Sequence, residues 1–199
     1  MKSIRAAAAA AAVGVSLVAL TACSSPMEAG AAAVVGSERI SASDLNSNVQ
    51  EYEAALKRAG IQPDQLPAPV TQFVLTRMAN QSAFAQLAAK HNIKVSEAEV
   101  DAGLKDPGQY QSPEINLLAK GVSPADARDY LRAELGVVKL QRQLGGPEDQ
   151  NAQAKLQQEF GSIKMVYSPR YGQFTNEQGF VDTGRFGKQA QQAQQPAQG

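Results

Sequence analysis

Helix start and stop signals recur at short intervals through the middle of this 199-residue chain, and they limit its possible folds more than any other feature. A Ser or Asp before apolar residues spaced three and four apart is typical of a helix N-terminus, and a Gly or a Pro-Gly pair is typical of its end. These signals predict five helices, at about residues 43–59, 69–91, 96–105, 112–120 and 123–144. The fold is therefore predicted to be mostly α, with about five to six helices.

Two segments with strand character lie at opposite ends of this helical region. Residues 33–40 read as two short extended pieces joined by a turn, and residues 162–168 alternate so that Ile163, Met165 and Tyr167 share one face. A lone strand or hairpin is only marginally stable in water, so each segment needs a partner. We therefore expect residues near Val34 and Val35 to pair with residues 163–167, so that a small β-sheet built from N-terminal and C-terminal strands closes the domain.

The N-terminus has the pattern of a bacterial export signal. Lys2 and Arg5 precede an apolar run over residues 6–20, which at about 15 residues is shorter than the roughly 20 that a transmembrane helix needs. The run ends in Leu20-Thr21-Ala22-Cys23, which resembles the lipobox of bacterial lipoproteins, whose Cys is diacylated and becomes the first residue after cleavage. The resemblance makes residues 1–22 a lipoprotein signal peptide and Cys23 the lipid attachment site. An ordinary cleaved signal with a chance Cys is the alternative.

Composition divides the rest of the chain. Residues 23–32 read as the lipidated Cys and a flexible tether, 33–168 as the folded domain, 169–186 as a strand extension or loop, and 187–199 as a disordered Gln/Ala-rich tail. Removing residues 1–22 takes two basic residues and no acidic one from a chain with 19 of each, which leaves a formal net charge of about −2. No basic patch typical of nucleic-acid binding is visible.

The chain offers few groups for chemistry. His91 is the sole histidine and Cys23 the sole cysteine, so neither a Cys-His nucleophile nor a His/Cys metal cluster is expected. Glu97, Glu99 and Asp101 suggest paired carboxylates, but acids at the start of a helix are favoured by capping and by the helix dipole. The sequence thus predicts no enzyme, no catalytic residue, no metal and no cofactor.

Apolar side chains are the remaining source of binding. A groove walled by large residues of the helices would suit promiscuous recognition of unfolded chains, because Met adapts to irregular partners. Strand addition to the small sheet is a second route. The candidate client-binding residues are Phe73, Met78, Phe84, Met165 and Tyr171; for each of them, packing in the core or completion of the sheet is the alternative.

The order of these elements resembles a known family. The segments VVGSERISASDL, LAAKHNIKVSEAEVDAGL and SPADARDYLRAELGVVKLQRQLG, followed by IKMVYSPRYGQF, resemble the SurA N-terminal chaperone domain, which is related to PrsA-like foldases, over about residues 31–168. Asn92 stands where that family usually has Gly, and both residues tolerate a left-handed helix end. The resemblance implies a SurA N-terminal or trigger-factor-like fold that receives unfolded secreted proteins. The parvulin isomerase domain of SurA and PrsA is not expected, because residues 169–199 are too few to form it.

The favoured interpretation is a membrane-tethered chaperone on the extracytoplasmic face that binds unfolded or exported polypeptides without catalysis. Its partners would be such polypeptides and, through the lipid, the outer face of the cytoplasmic membrane, or the periplasm where a second membrane exists. Two alternatives stay open: an accessory envelope lipoprotein that docks on one specific protein, and a helper subunit for a separate prolyl isomerase.

Overall fold

A computed structural model describes residues 29–175 and 179–181 of the chain. In this part, six helices follow a β-hairpin and precede three short strands. The strands are β1 Ala31–Val35, β2 Glu38–Ser41, β3 Met165–Tyr167, β4 Gln173–Thr175 and β5 Gly179–Val181; the helices are α1 Ala42–Ala59, α2 Val70–Lys90, α3 Glu97–Gly103, α4 Pro113–Ala119, α5 Ala127–Leu144 and α6 Gln150–Gly161. The predicted mostly-α fold is confirmed.

The helix ends show why these segments are helical. The Ser41 hydroxyl accepts from the Asp44 N–H at the start of α1, and Ser96 and Glu99 form a reciprocal capping box at the start of α3. After α2, Asn92 has a φ of 56° and is the one non-Gly residue with positive φ in the described ranges. The Ile93 N–H then bonds the Ala88 carbonyl at 2.8 Å, which satisfies a carbonyl that the helix end leaves open. The left-handed helix end predicted at Asn92 is therefore confirmed.

Two helices differ from the prediction. Helix α5 begins at Ala127, a few residues after the start predicted at residue 123; the Asp126 carboxylate before it binds Arg77 and makes no side-chain cap bond. Helix α6 was not bracketed in the sequence. Asp149 caps it through bonds from the Asn151 and Ala152 N–H groups, but Ala152 is its one buried residue, so no apolar period marks it.

The sheet closes the chain as predicted. Strand β1 lies in the centre of the order β2-β1-β3, and it pairs antiparallel with β3 in the register Ala33–Tyr167, Val34–Val166 and Val35–Met165. Strand β1 begins earlier than expected, because Ala31 and Ala32 of the predicted tether are buried in it. These small side chains fit where the strand packs against the helices.

A second, two-stranded sheet forms from β4 and β5. Within residues 169–186, which were read as a strand extension or loop, Phe174 belongs to this separate hairpin and Arg170 and Tyr171 to a 3₁₀ turn before it. Completion of the first sheet, the alternative considered for Tyr171, is therefore not observed. The hairpin is held by a cluster of rings, because Tyr167 and Phe174 lie 4.4 Å apart between centroids and Phe180 contacts both. The Gln72 amide also donates to the Tyr171 carbonyl at 2.9 Å, which ties the hairpin to α2.

The main core lies between the three-stranded sheet and helices α1 and α2. Its largest fully buried side chains include Tyr52, Leu45, Leu56 and Leu75, and the Tyr52 hydroxyl donates to the Leu118 carbonyl at 2.6 Å. A smaller cluster around Val100, Val122 and Leu131 joins α3 to α5. Within the described residues, no helix is both long and apolar enough to cross a membrane.

Candidate functional site

A groove of about 710 Å³ runs between α2 and α5 and is bordered by β2. Concave sites of about 300 to 1,000 Å³ commonly bury most of a bound ligand, so its size suits a short stretch of another molecule. The residues that line it on α2 are Arg77, Met78, Gln81, Ser82, Ala85, Ala88 and Ala89; those elsewhere are Glu38, Ile40, Asn48, Ile93, Lys94, Val95, Asp126, Asp129, Arg132 and Ala133.

Helix α2 sets the length and the floor of the groove. The lining extends from Arg77 to Ala89 along this helix, which at 1.5 Å per residue corresponds to about 18 Å. An extended chain at roughly 3.3 Å per residue would place five to six residues over that distance. The small alanine side chains of α2 leave room for a bound segment along the floor of the groove, and Ile40, Ile93 and Val95 make its surface apolar.

A close helix crossing adjoins the groove at Ala88, one of its lining residues. Gly136 of α5 is buried against α2, and a Cβ atom added to it would lie 2.8 Å from the Cβ of Ala88. Real Cβ atoms do not approach so closely, so the absence of a side chain at Gly136 lets the two helices touch. The small residues at this crossing therefore determine how the two walls of the groove are spaced.

Arg77 forms a polar anchor at one end of the groove. Its side chain is 5% exposed, and its guanidinium donates to the Gly121 carbonyl, Gln81, Asn48 and Asp126 over 2.6 to 3.1 Å. Burial lowers the pKa of Arg77, and the Asp126 carboxylate opposes that shift. These bonds connect α1, α2 and the start of α5, so Arg77 holds that end of the groove in place.

The Arg77 anchor was missed in the sequence analysis. Arg77 stands among apolar residues at helical spacing, between Val74 and Met78, so the apolar pattern of the helix obscures it. A charged residue on the apolar face of a helix is almost never buried without a partner, and this was the available signal. Its partner Asp126, 49 positions away, could not be identified from spacing.

The opposite end of the groove rests on the connection from α2 to α3. Ile93, Lys94 and Val95 line it after the turn at Asn92. The Lys139 ammonium of α5 donates to the Lys94 carbonyl at 2.7 Å and to the Glu99 carboxylate at 2.8 Å. The Lys139 bond and the Ser96 bonds lower the pKa of Glu99 to about 2, so this carboxylate is charged and serves to position α3.

The structure does not bring the predicted client-binding residues together. Met78 lines the groove, whereas the Phe73 ring packs near Tyr52 with centroids 6.2 Å apart. Phe84 packs on Phe160 at 5.5 Å. Met165 and Tyr171 lie near the sheets, half-buried against the main core. A single groove walled by Phe73, Met78, Phe84 and Met165 is therefore not formed, and a role for each residue in client binding stays a prediction. Cys23 lies outside the described residues.

The polar residues considered for chemistry have structural surroundings. His91 ends α2 and lies 3.6 Å from the Glu159 carboxylate. Glu97 and Asp101 of α3 form ion pairs with Arg128, and Glu97 also pairs with Arg132. Over the described ranges, no group of three or more His, Cys, Asp or Glu side chains is placed to hold a metal ion.

Comparison with protein families gives one finding for the chain. The family model for the SurA-like N-terminal domain matches residues 1–141, which include β1, β2, α1 to α4 and most of α5. Comparisons with curated proteins and with solved structures gave no match. Helix α6 and strands β3 to β5 lie beyond the matched residues.

Proposed function

The chain belongs to the SurA-like N-terminal domain family, and we propose that it is a membrane-tethered chaperone that holds unfolded exported polypeptides without catalysis. The family supports a chaperone-type role in the cell envelope. The finer proposal has three parts: the α2–α5 groove receives apolar client segments, a lipid on Cys23 retains the protein at the membrane, and no covalent step follows binding.

The apolar groove between α2 and α5 carries the proposal. Its charged border residues include both signs, with Glu38, Asp126 and Asp129 against Lys94, Arg77 and Arg132. Several are already paired, since Arg77 binds Asp126 and Arg132 binds Asp129. The border therefore has no excess of either charge to attract a strongly charged ligand. An uncharged apolar segment, in contrast, would bury its side chains against the alanines of α2.

A charge placed on this floor tests the groove. Ala85 is exposed and lines it, so Ala85→Glu should weaken binding of apolar segments with little effect on folding. Ala54→Glu, at an exposed position of α1 outside the groove, is the matched control. Residues 24–199 should slow aggregation of an unfolded client without ATP, and Ala85→Glu should reduce this effect severalfold while Ala54→Glu does not.

Two results of the aggregation assay would contradict the proposal. One is the absence of any effect of the wild-type protein on several unrelated clients, which would favour docking to one specific protein; an envelope pull-down would then recover one partner at near-stoichiometric yield. The other is acceleration of prolyl isomerisation above its uncatalysed time of tens to hundreds of seconds, which would show a catalytic function.

The lipid anchor has an independent test. Two acyl chains give stable membrane attachment where one is marginal, so a diacylated Cys23 should hold the protein in the membrane fraction. Cys23→Ser should release it into the soluble exported fraction or leave an unprocessed precursor. A Cys23→Ser protein that is still processed and membrane-bound would refute the anchor, and the groove proposal would stand without it.

A further inference from the structure

The outer edge of β3 presents backbone groups that the first sheet does not use. The Gly36 N–H donates to the Lys164 carbonyl, and the Ser168 N–H donates to the Ala32 carbonyl, each at 2.8 Å. In an antiparallel pair, alternate residues direct both backbone groups to the partner, so Lys164, Val166 and Ser168 face β1. The N–H and carbonyl groups of Met165 and Tyr167 therefore point away from it.

These four outward groups have no backbone partner among the described residues. Strand β3 is at the end of the order β2-β1-β3, and no backbone bond from Met165 or Tyr167 reaches another described element. A cavity of about 540 Å³ adjoins the strand, lined by Met165, Val166, Tyr167, Pro169, Gly172, Gln173 and Phe174. Space for a further chain segment thus lies next to the open edge.

The cavity combines this edge with aromatic surface. Tyr167 and Phe174 line it, and their rings are in contact with each other and with Phe180. Outward N–H and carbonyl groups alternate along a strand edge, and a second extended backbone is the ligand that matches this alternation. The rings favour an apolar side chain on that backbone.

We propose that the outer edge of β3 binds an extended segment of an unfolded polypeptide by strand addition, with an apolar client side chain against Tyr167 and Phe174. This inference rests on the proposed chaperone function and adds a second contact that is separate from the α2–α5 groove. Backbone pairing is independent of client sequence, whereas the groove selects apolar side chains. The two contacts together would hold diverse clients.

Proline at position 165 tests the edge without disturbing the β1 pairing. Proline is tolerated in an edge strand where its missing N–H faces outward, and the Met165 N–H faces outward. Met165→Ala is the matched control, because it removes the same side chain and keeps the N–H. The probe is a fluorescein-labelled octapeptide of alternating Val and Thr, measured by fluorescence anisotropy. Met165→Pro should weaken its binding at least tenfold relative to Met165→Ala.

A modified peptide gives the same test on the unaltered protein. The octapeptide methylated on every backbone nitrogen cannot donate to the Met165 and Tyr167 carbonyls, so the wild-type protein should bind it at least tenfold more weakly. Equal binding of the two peptides, or equal binding by folded Met165→Pro and Met165→Ala proteins, overturns the inference. If Met165→Pro fails to fold, the two peptides decide the question.

Amide hydrogen exchange identifies what occupies the edge. The Met165 and Tyr167 amides should exchange rapidly in the free protein and slowly with the octapeptide bound. Slow exchange in the free protein would mean that another part of the chain or a second copy already fills the edge, and the inference would be wrong. If the edge tests fail while aggregation is still suppressed and Ala85→Glu still impairs it, the chaperone proposal stands and only strand addition is lost.

Discussion

Gly136 shows how one missing side chain determines the geometry of the groove. Alanine stabilises a helix interior over glycine by about 1 kcal/mol, yet glycine is found where α5 crosses α2. A Cβ at this position would lie 2.8 Å from the Cβ of Ala88, and overpacking of this kind typically costs about 1 to 3 kcal/mol. The close contact therefore outweighs the helix preference, and the helices stay near enough to form one floor.

Substitution of this glycine tests the crossing. Gly136→Ala should lower the free energy of unfolding by about 1 kcal/mol, since the clash exceeds the gain in helix preference. Gly161→Ala in α6 is the control, because a Cβ there meets nothing within 4 Å, and it should be neutral or slightly stabilising. Urea unfolding measures both. Adding Ala88→Gly should partly restore the Gly136→Ala protein; a failure to do so would mean that the clash lies elsewhere.

Arg77 makes a second prediction for a single residue. Removing one partner of a buried ion pair lowers the free energy of unfolding by about 3 to 5 kcal/mol, because the remaining charge is buried without a partner. The Asp126 side chain is 24% exposed, so Arg77→Met should lower the free energy of unfolding by an amount near the lower end of that range. Arg128→Met is the comparison, because Arg128 pairs with Glu97 and Asp101 at the surface, where ion pairs contribute little to stability, so its loss should be clearly smaller. Similar losses in urea unfolding would contradict the anchoring role of Arg77.

Among the secondary-structure elements, α3 is attached to α5 by few apolar contacts and many ionic ones. Val100 is its one buried residue, and Glu97 and Glu99 bind Arg128, Arg132 and Lys139. The bonds from Lys139 and Ser96 lower the pKa of Glu99 from 4.5 to about 2. The attachment of α3 should therefore depend on pH.

The sign of that dependence follows from the direction of the shift. A carboxyl whose pKa is lower in the folded state adds stability above its unfolded pKa of 4.5 and loses it as the pH falls toward about 2. As the pH is lowered from 5 to 2.5, the urea concentration at the midpoint of unfolding should therefore decrease. The decrease should be less steep in the Glu99→Gln protein. Gln preserves the capping box with Ser96, so the comparison isolates the charge. An equally steep fall in both proteins would assign the dependence to other groups.

Elements with local signals were predictable, and elements without them were not. Helices α1, α3 and α4 each follow a capping Ser, and α2 ends at the left-handed Asn92; these local signals, with apolar residues at helical spacing, indicated the four helices closely. Helix α6 has a cap at Asp149 but one buried residue, and the β4–β5 hairpin depends on rings contributed partly by Tyr167. Contacts that join distant residues, such as Arg77 with Asp126, leave no mark in local spacing. The groove depends on such contacts, and of the predicted client-binding residues Met78 alone lines it.

For the whole molecule, the pairing of β1 with β3 joins the start of the folded region to its end. This pairing was inferred from the weakness of lone strands, and the observed register agrees with it. Large side chains that follow α6, namely Ile163, Met165, Tyr167, Tyr171 and Phe180, pack half-buried against the main core. Full burial of such a side chain contributes about 1.5 to 3 kcal/mol, so at half burial each contributes about 1 kcal/mol.

Truncation tests whether this closure stabilises the domain. Cutting after Gly161 removes β3 and all five of these side chains, a loss of about 5 kcal/mol, which is comparable with the 5 to 15 kcal/mol by which a typical domain is stable. The truncated protein should melt at least about 10 °C lower, or not fold, in circular dichroism melting beside residues 24–199. Cutting after Gly187 removes a segment composed mostly of Gln and Ala, with almost nothing apolar to bury, so the melting temperature of this protein should stay within about 2 °C of that of residues 24–199. Unchanged melting after loss of residues 162–199 would show that the helices are stable without β3. Strand β3 would then serve only to offer a free edge for strand addition and would not stabilise the fold.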